Sequence, residues 1–130
     1  MDAPYRTVLV GTDGSPTATR AVLRASAVAR VSEAKFLVAF VGDPREGEAV
    51  LDRIVATLAG TLPVPETRLL TGDPADALLG LAGAERVDLI VVGNKGMSGA
   101  QRFLLGSVPN KISHRAGCDV LVAYTRHATP

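Results

Sequence analysis

Residues 7–16 read TVLVGTDGSP, an apolar run that ends in a glycine-containing turn and continues into a serine and a proline. Branched apolar residues without polar alternation are typical of a strand covered on both faces, as in a parallel sheet. A serine before a proline marks the start of a helix, with Ser15 as the N-cap and Pro16 at the first helical position. The stretch therefore predicts a strand at 7–11, a turn, and a helix at 16–31.

The same strand–turn–helix pattern recurs along the rest of the chain. Apolar runs predict strands at 36–41, 89–93 and 120–124, and a weaker strand at 67–71. Apolar residues at helical spacing predict helices at 44–60, 74–86 and 108–116, of which the first two begin at Asp43-Pro44 and Asp73-Pro74. Such alternation predicts an α/β fold in three layers, with an open five-stranded parallel sheet in the order 3-2-1-4-5.

The composition favours a single globular domain and disfavours disordered and membrane proteins. The 130 residues are 47% hydrophobic and 21% charged, which predicts one globular domain over 1–130. A net charge of +1 does not favour a nucleic-acid partner. The longest apolar run, at 36–41, is far shorter than the roughly 20 residues of a membrane span. No secretion signal opens the sequence, and the one cysteine excludes an internal disulfide. We expect a cytoplasmic protein with neither a membrane nor a nucleic-acid partner.

Two loops are predicted to meet at the carboxyl edge of the sheet. The order 3-2-1-4-5 places the first and fourth strands side by side where the winding reverses, and ligands bind at that point in such sheets. The loops that follow these strands are Gly11–Ser15 and Gly93–Ser107. The second has fifteen residues, whereas strand–helix loops usually have about 2–6. Its glycines let an anion approach the backbone, and the helix that starts at Ser107 favours a phosphate.

Local charge supports an anion site there, and one carboxylate is predicted at the same edge of the sheet. Between Leu89 and Cys118 the sequence has no Asp or Glu, but it has Lys95, Arg102, Lys111 and Arg115. We expect an anion near this loop to meet only positive side chains, with no acidic neighbours, although a solvated basic face would give the same pattern. Asp13 follows the first strand, where a carboxylate accepts ribose hydroxyls, holds a phosphate-bound metal or caps the next helix; these roles stay open.

Several familiar chemistries are absent from the sequence. It has neither the Walker phosphate loop nor the Gly-x-Gly-x-x-Gly dinucleotide fingerprint. The residues His114, His127 and Cys118 form no recognisable catalytic set, and we interpret His114 as a surface residue and Cys118 as structural. A response-regulator receiver would need an acidic cluster after the first strand, and an FMN site would need a different first loop. Both interpretations are disfavoured.

The spacing Gly93, two residues, Gly96, nine residues, Gly106-Ser107 resembles the adenine-nucleotide motif of the universal stress protein family. Further similar stretches are TVLVGTDGS at 7–15, TGDPADALL at 71–79, VDLIVVGNKG at 87–96, LLGSV at 104–108 and CDVLVAY at 118–124. The resemblance therefore extends over nearly the whole chain. The segment GSVPNKISHRAGCDVLV at 106–122 is most similar to the branch that binds cyclic AMP.

The resemblance implies a Rossmann-like fold of the adenine nucleotide alpha hydrolase type and a regulatory protein of the stress response. It implies that ATP or cyclic AMP binds at the carboxyl ends of the first and fourth strands, with Mg²⁺ accompanying ATP near Asp13. The short connection before the second helix would reduce the lid over the adenine. The residues implied in nucleotide binding are Gly11, Thr12, Asp13, Val41, Gly93, Asn94, Lys95, Gly96, Arg102, Gly106, Ser107 and Val108.

The last strand suggests a second copy of the chain as a partner. An apolar edge strand without proline or lysine favours pairing with another strand. We therefore expect a homodimer through residues at the chain's last strand: Val120, Leu121, Val122, Ala123 and Tyr124. Two alternatives to a nucleotide sensor remain. One is a slow ATPase or self-phosphorylating protein in which Ser107 takes the phosphoryl group, and the other is a dimeric interaction module that binds no nucleotide.

Overall fold

The structure, a computed structural model, describes residues 4–94 and 107–124. Each predicted strand and helix is present, with ends within three residues of the prediction. The elements are β1 Thr7–Thr12, α1 Pro16–Ser32, β2 Lys35–Val41, α2 Pro44–Thr57, β3 Glu66–Leu70, α3 Pro74–Ala84, β4 Leu89–Gly93, α4 Ser107–Arg115 and β5 Asp119–Ala123.

The five strands form one parallel sheet in the order β3-β2-β1-β4-β5. The predicted fold class and strand order are therefore confirmed. All six residues of β1 are buried, as expected for the central strand. No residue of β3 is fully buried, because this strand lies at an edge, and its sequence accordingly gave the weakest strand signal.

Two hydrophobic cores lie on opposite faces of the sheet and make the three layers. On one face Val8 and Val10 pack with Val22 of α1 and Ile54 of α2. On the other face Leu9 packs with residues of α3 and α4, among them Leu78 and Ile112. Successive side chains of β1 therefore enter different cores, which explains why its sequence is apolar without alternation.

The predicted helix starts are confirmed by their capping hydrogen bonds. The Ala18 backbone N–H donates to Ser15 Oγ at 3.2 Å, and the Arg45 N–H donates to Asp43 Oδ1 at 2.8 Å. The Asp76 N–H donates to Asp73 Oδ2 at 3.0 Å. These caps fix where each helix leaves the carboxyl edge of the sheet.

Two helices end two or more residues earlier than predicted. Helix α2 ends at Thr57 and not at residue 60, and Gly60 is left-handed with φ of 84°. Helix α3 ends at Ala84 and not at residue 86, because Arg86 adopts φ of 55°. A left-handed residue ends the run of helical hydrogen bonds. Across the described ranges, no helix is both long and apolar enough to cross a bilayer.

Candidate functional site

The sheet splits between β1 and β4 at its carboxyl edge. These two strands pair only as far as Val10 and Val91. The last residues of β1 continue beside β2, up to Thr12 opposite Phe40. The last residues of β4 continue beside β5, up to Gly93 opposite Ala123. A crevice therefore opens where the winding reverses, which is where open α/β sheets bind ligands.

The turn after β1 forms one wall of this crevice. The Gly14 N–H donates to Thr12 Oγ1 at 3.0 Å, and the Ser15 N–H donates to Asp13 Oδ1 at 2.9 Å. Thr12 is buried and Asp13 is half-buried. Because Ser15 is the cap of α1, Asp13 closes the turn and does not cap the helix. Within residues 4–94 and 107–124, Asp13 Oδ2 accepts no hydrogen bond, so this oxygen can accept one from a ligand.

The end of β2 borders the same edge. Val41 is 7% exposed, and its side chain belongs to the core beneath α3 and α4. Only Gly42 and Asp43 separate β2 from α2, and the Gly42 N–H donates a hydrogen bond to Leu70 O at 2.9 Å. With its side chain buried, Val41 can meet a ligand only through its backbone. The predicted shortness of this connection is confirmed.

The other wall is formed by the end of β4 and the start of α4. Gly93 is half-buried, and the N–H of the buried Asn94 donates to Ala123 O at 2.9 Å. Ser107 is the first residue of α4 and is exposed, whereas Val108 is buried in the core. The predicted site residues Lys95, Gly96, Arg102 and Gly106 lie outside the described residues, and their roles stay predictions.

The charge around α4 differs from the expectation. Lys111 Nζ lies 3.0 Å from Asp76 Oδ1 and 3.3 Å from Asp73 Oδ2, and Arg115 Nη1 lies 3.4 Å from Asp76 Oδ1. The carboxylate of Asp76, then that of Asp73, raises the pKa of Lys111. The expectation that these two basic residues meet an anion without acidic neighbours is therefore wrong. Helices α3 and α4 lie side by side, so the α3 carboxylates, although distant in sequence, neutralise the two basic side chains of α4.

The comparisons with known proteins agree with this architecture. The sequence model of the Universal stress protein family matches residues 4–62 and 46–123. The chain belongs to the universal stress protein family. The universal stress protein Rv1636 of Mycobacterium tuberculosis H37Rv is 38% identical over 143 residues, which cover 93% of this chain and 97% of that protein.

Solved structures of universal stress proteins superimpose on this one. A universal stress protein crystallised in complex with cyclic AMP is 43% identical, with a TM-score of 0.81, covering 94% of this chain and 98% of that one. The crystal structure of Rv1636 is 41% identical with a TM-score of 0.66, covering 96% and 97% of the two chains. The resemblance inferred from the motifs is thus confirmed at the level of the family.

One feature of this universal stress protein was not found from the sequence. Gly14 has φ of +83°, and a Cβ placed on it would lie 2.7 Å from Val50 Cγ2 and 3.4 Å from Arg53 Nη2. Helix α2 therefore presses directly on the turn that carries Asp13. The sequence GTDGS marks a turn, but no local signal says that a helix about forty residues later supports it.

His114 and Cys118 lie outside the crevice. His114 is exposed, and its Nδ1 lies 2.8 Å from Asn110 O within the same helix. Cys118 is half-buried, and burial raises the pKa of its thiol. Among the described residues, no three His, Cys, Asp or Glu side chains are grouped so that they could hold a metal ion. The described part of the crevice contributes one carboxylate, backbone groups and the N-terminus of a helix.

Proposed function

We propose that this universal stress protein is a regulatory protein that binds an adenine nucleotide, cyclic AMP in preference to ATP, at the carboxyl edge of β1 and β4. The observation that carries the proposal is the crevice between the ends of these strands, with Asp13 on one wall and α4 on the other. The 43% identical relative that was crystallised with cyclic AMP supports the choice of ligand.

Each wall suits one part of the nucleotide. Asp13 Oδ2 would accept a hydrogen bond from the ribose hydroxyl, and the backbone at Val41 would contact the adenine. The N-terminus of α4 at Ser107 presents helix amides whose dipole favours a phosphate. Lys95, Gly96, Arg102 and Gly106 are expected to complete the phosphate contacts.

The choice between ATP and cyclic AMP is linked to the metal that ATP brings. ATP normally binds as its Mg²⁺ complex, and Mg²⁺ takes about six oxygen ligands, among them waters and phosphate oxygens. Asp13 has one oxygen already engaged by the Ser15 N–H at 2.9 Å, which leaves Oδ2 for an ion or a ribose hydroxyl. A cyclic monophosphate needs no such ion, and the relative crystallised with cyclic AMP is the observation that favours it over a metal-bound triphosphate.

Calorimetric titration of protein stripped of bound nucleotide tests the proposal, with cyclic AMP, AMP, ATP–Mg²⁺ and GTP as ligands. We expect cyclic AMP to bind most tightly and GTP not to bind. Asp13→Asn keeps an acceptor for the Ser15 N–H but removes the charge, and it should weaken cyclic AMP binding about tenfold. The matched control is Asp43→Asn, which alters the equivalent turn after β2 and should leave the affinity unchanged.

Three results would refute this assignment: no binding of cyclic AMP at millimolar concentration, tighter binding of ATP–Mg²⁺, or an unchanged affinity in Asp13→Asn. The second result would transfer the site to ATP and reopen the hypothesis of a slow ATPase. The first would leave the dimeric interaction module as the better explanation.

The homodimer is also a proposal, supported by the exposed edge of β5. This strand pairs only with β4 in the described sheet. Val120, Leu121 and Val122 are half-buried, and Tyr124, just beyond the strand, is 67% exposed. Ala123 is 4% exposed, so it would contribute backbone groups but not its side chain.

Light scattering at micromolar concentration checks the dimer. Val122→Lys places a charge on the proposed interface and should convert the dimer to a monomer. Thr67→Lys places the same charge on β3, at the opposite edge of the sheet, and should leave the dimer intact. A monomeric mass for the unmodified protein would refute the proposed interface.

A further inference from the structure

A cavity of about 270 Å³ lies away from the carboxyl edge of the sheet. It is bordered by the last two turns of α3, the end of α4, and the residues that enter β4 and β5. It therefore opens at the amino edge of the sheet, opposite the proposed nucleotide crevice. No part of the nucleotide chemistry above uses it.

The inner wall of this cavity is apolar. It is made by Leu79, Ala82, Val87 and Ile90. Of these four, Leu79 is half-buried and provides the apolar surface that a ligand can reach. Ala82 and Val87 are nearly buried and Ile90 is completely buried, so they form the floor behind it. Its volume lies just below the ~300–1,000 Å³ typical of small-molecule sites, so it suits a ligand of about ten non-hydrogen atoms.

The rim of the cavity is positively charged. It carries the side chains of Arg86 and Arg115, and none of its lining residues that the structure describes is an Asp or Glu. Within the described ranges, the Arg86 guanidinium makes no hydrogen bond or ion pair. Arg115 Nη1 lies 3.4 Å from Asp76 Oδ1, but that oxygen is also bound by Lys111 at 3.0 Å. At least one guanidinium is therefore available to an anion.

The backbone holds Arg86 at this rim in a conformation that glycine adopts more readily. Its φ is 55°, and it follows the end of α3, where the Val87 N–H donates to Ala82 O at 2.9 Å. An arginine pays conformational strain at such a position. Glu33 has a similar φ of 54° after α1, so it provides a matched position away from the cavity.

Gly83 indicates that there is space beside the helix backbone at the cavity, and Cys118 provides a way to detect a bound ligand. A Cβ placed on Gly83 would meet no atom within 4 Å, so the backbone there borders empty space. Cys118 lines the cavity and is the single cysteine of the chain. Burial, with a smaller contribution from the carboxylates of Asp119 and Asp88, raises the pKa of its thiol. Cys118 therefore forms part of the cavity wall, and the reactivity of its thiol can report whether the cavity is occupied.

We propose that this cavity binds a small amphiphilic anion, a carboxylate with a short aliphatic chain, whose chain lies on Leu79 and whose carboxylate meets Arg86 and Arg115. The apolar inner wall supplies the hydrophobic contribution, and the planar guanidinium groups match a carboxylate. The site is separate from the proposed nucleotide crevice and does not depend on it.

Octanoate is the probe, with octanol and octylammonium as neutral and oppositely charged controls. Binding is followed by calorimetry and by the rate at which Cys118 is alkylated at mildly alkaline pH. Octanoate should bind and slow alkylation, octanol should bind about tenfold more weakly, and octylammonium should not bind. Failure of octanoate to bind or protect Cys118 at millimolar concentration would overturn the proposal, as would equal binding of octylammonium.

Two pairs of variants separate the site from general effects on folding. Arg86→Gly removes the guanidinium while relieving the backbone, and it should weaken octanoate binding about tenfold without loss of stability. Its control, Glu33→Gly, relieves the equivalent conformation after α1 and should leave binding unchanged. If Arg86→Gly binds octanoate as tightly as the unmodified protein, the proposed charge recognition is wrong.

Gly83→Leu should fill the cavity and abolish octanoate binding. Gly80→Leu is its control, because Gly80 lies in the same helix, has no atom within 4 Å of its added Cβ, and does not line the cavity. Equal effects of the two variants would refute the location. Cyclic AMP binding should be the same in both, so failure here is distinguishable from failure of the proposed nucleotide function.

Discussion

Gly47 in α2 tests whether this helix packs as closely on the sheet as the structure indicates. A Cβ placed there would contact Leu69 Cδ1 and lie 2.5 Å from Phe40 Cδ1. Replacing a helical glycine by alanine normally stabilises a protein by about 1 kcal/mol. Overpacking a core costs about 1–3 kcal/mol. The sign of the Gly47→Ala effect therefore depends on whether these two neighbours can move.

The two neighbours differ in how far they can move. Leu69 is 42% exposed on the edge strand β3, so its side chain can shift toward solvent. Phe40 is 3% exposed and lies in the core between α2 and the sheet, so its ring has no space to retreat. We therefore expect the overpacking to exceed the helical gain, and Gly47→Ala to destabilise the protein by up to about 2 kcal/mol.

Urea denaturation measures this effect, from the shift in midpoint at an unchanged slope. Gly80→Ala is the matched control, because it makes the same substitution in α3, where nothing lies within 4 Å of the added Cβ. The control should stabilise the protein by up to about 1 kcal/mol. If Gly47→Ala is as stable as the control, α2 does not press on Phe40 as described, and its support of the turn at Gly14 must be revised.

Two further predictions concern the helix caps. Ser15→Ala removes the acceptor of the Ala18 N–H and should destabilise the protein by about 1 kcal/mol in urea denaturation, whereas Ser113→Ala, at an exposed position of α4, should have little effect. The hydrogen bond from the Asp76 N–H, and to a smaller extent that from Lys111, lowers the pKa of Asp73. The ionised carboxylate therefore stabilises the fold above its ordinary pKa, and this stabilisation is lost as the pH falls below about 4. Asp73→Asn keeps the cap but not the charge, so its melting temperature should fall less steeply on acidification; an identical decline in both proteins would contradict the assigned pKa shift.

Much of the fold was predictable because its signals are local. An Asp-Pro or Ser-Pro pair defines a helix start through one side-chain acceptor and one fixed backbone angle, and all three such starts were correct. Strand order followed from the arrangement that five-stranded doubly wound sheets commonly adopt. The helix ends were less predictable, since Arg86 adopts a left-handed conformation that its residue type does not indicate.

The candidate site was predictable only in part. The turn at Asp13 and the start of α4 were located from the sequence, because the first directly follows a strand and the second is marked by the Gly106-Ser107 pair. The neutralisation of Lys111 and Arg115 by Asp73 and Asp76 was not, because it depends on contacts between residues more than thirty positions apart in the chain. Binding by the residues of the crevice remains the proposal that titration will test.

The sequence by itself determined the strands, the helix starts and the family, because these depend on residue types at fixed short spacings, and the sheet order followed from the arrangement that doubly wound sheets commonly adopt. Tertiary structure alone decided where β1 and β4 separate, why a side chain at Gly47 meets close neighbours, and which charges around α4 are compensated. Those properties depend on distances between segments far apart in the chain. Such distances are set by how the helices pack on the sheet, and short-range sequence patterns do not record them.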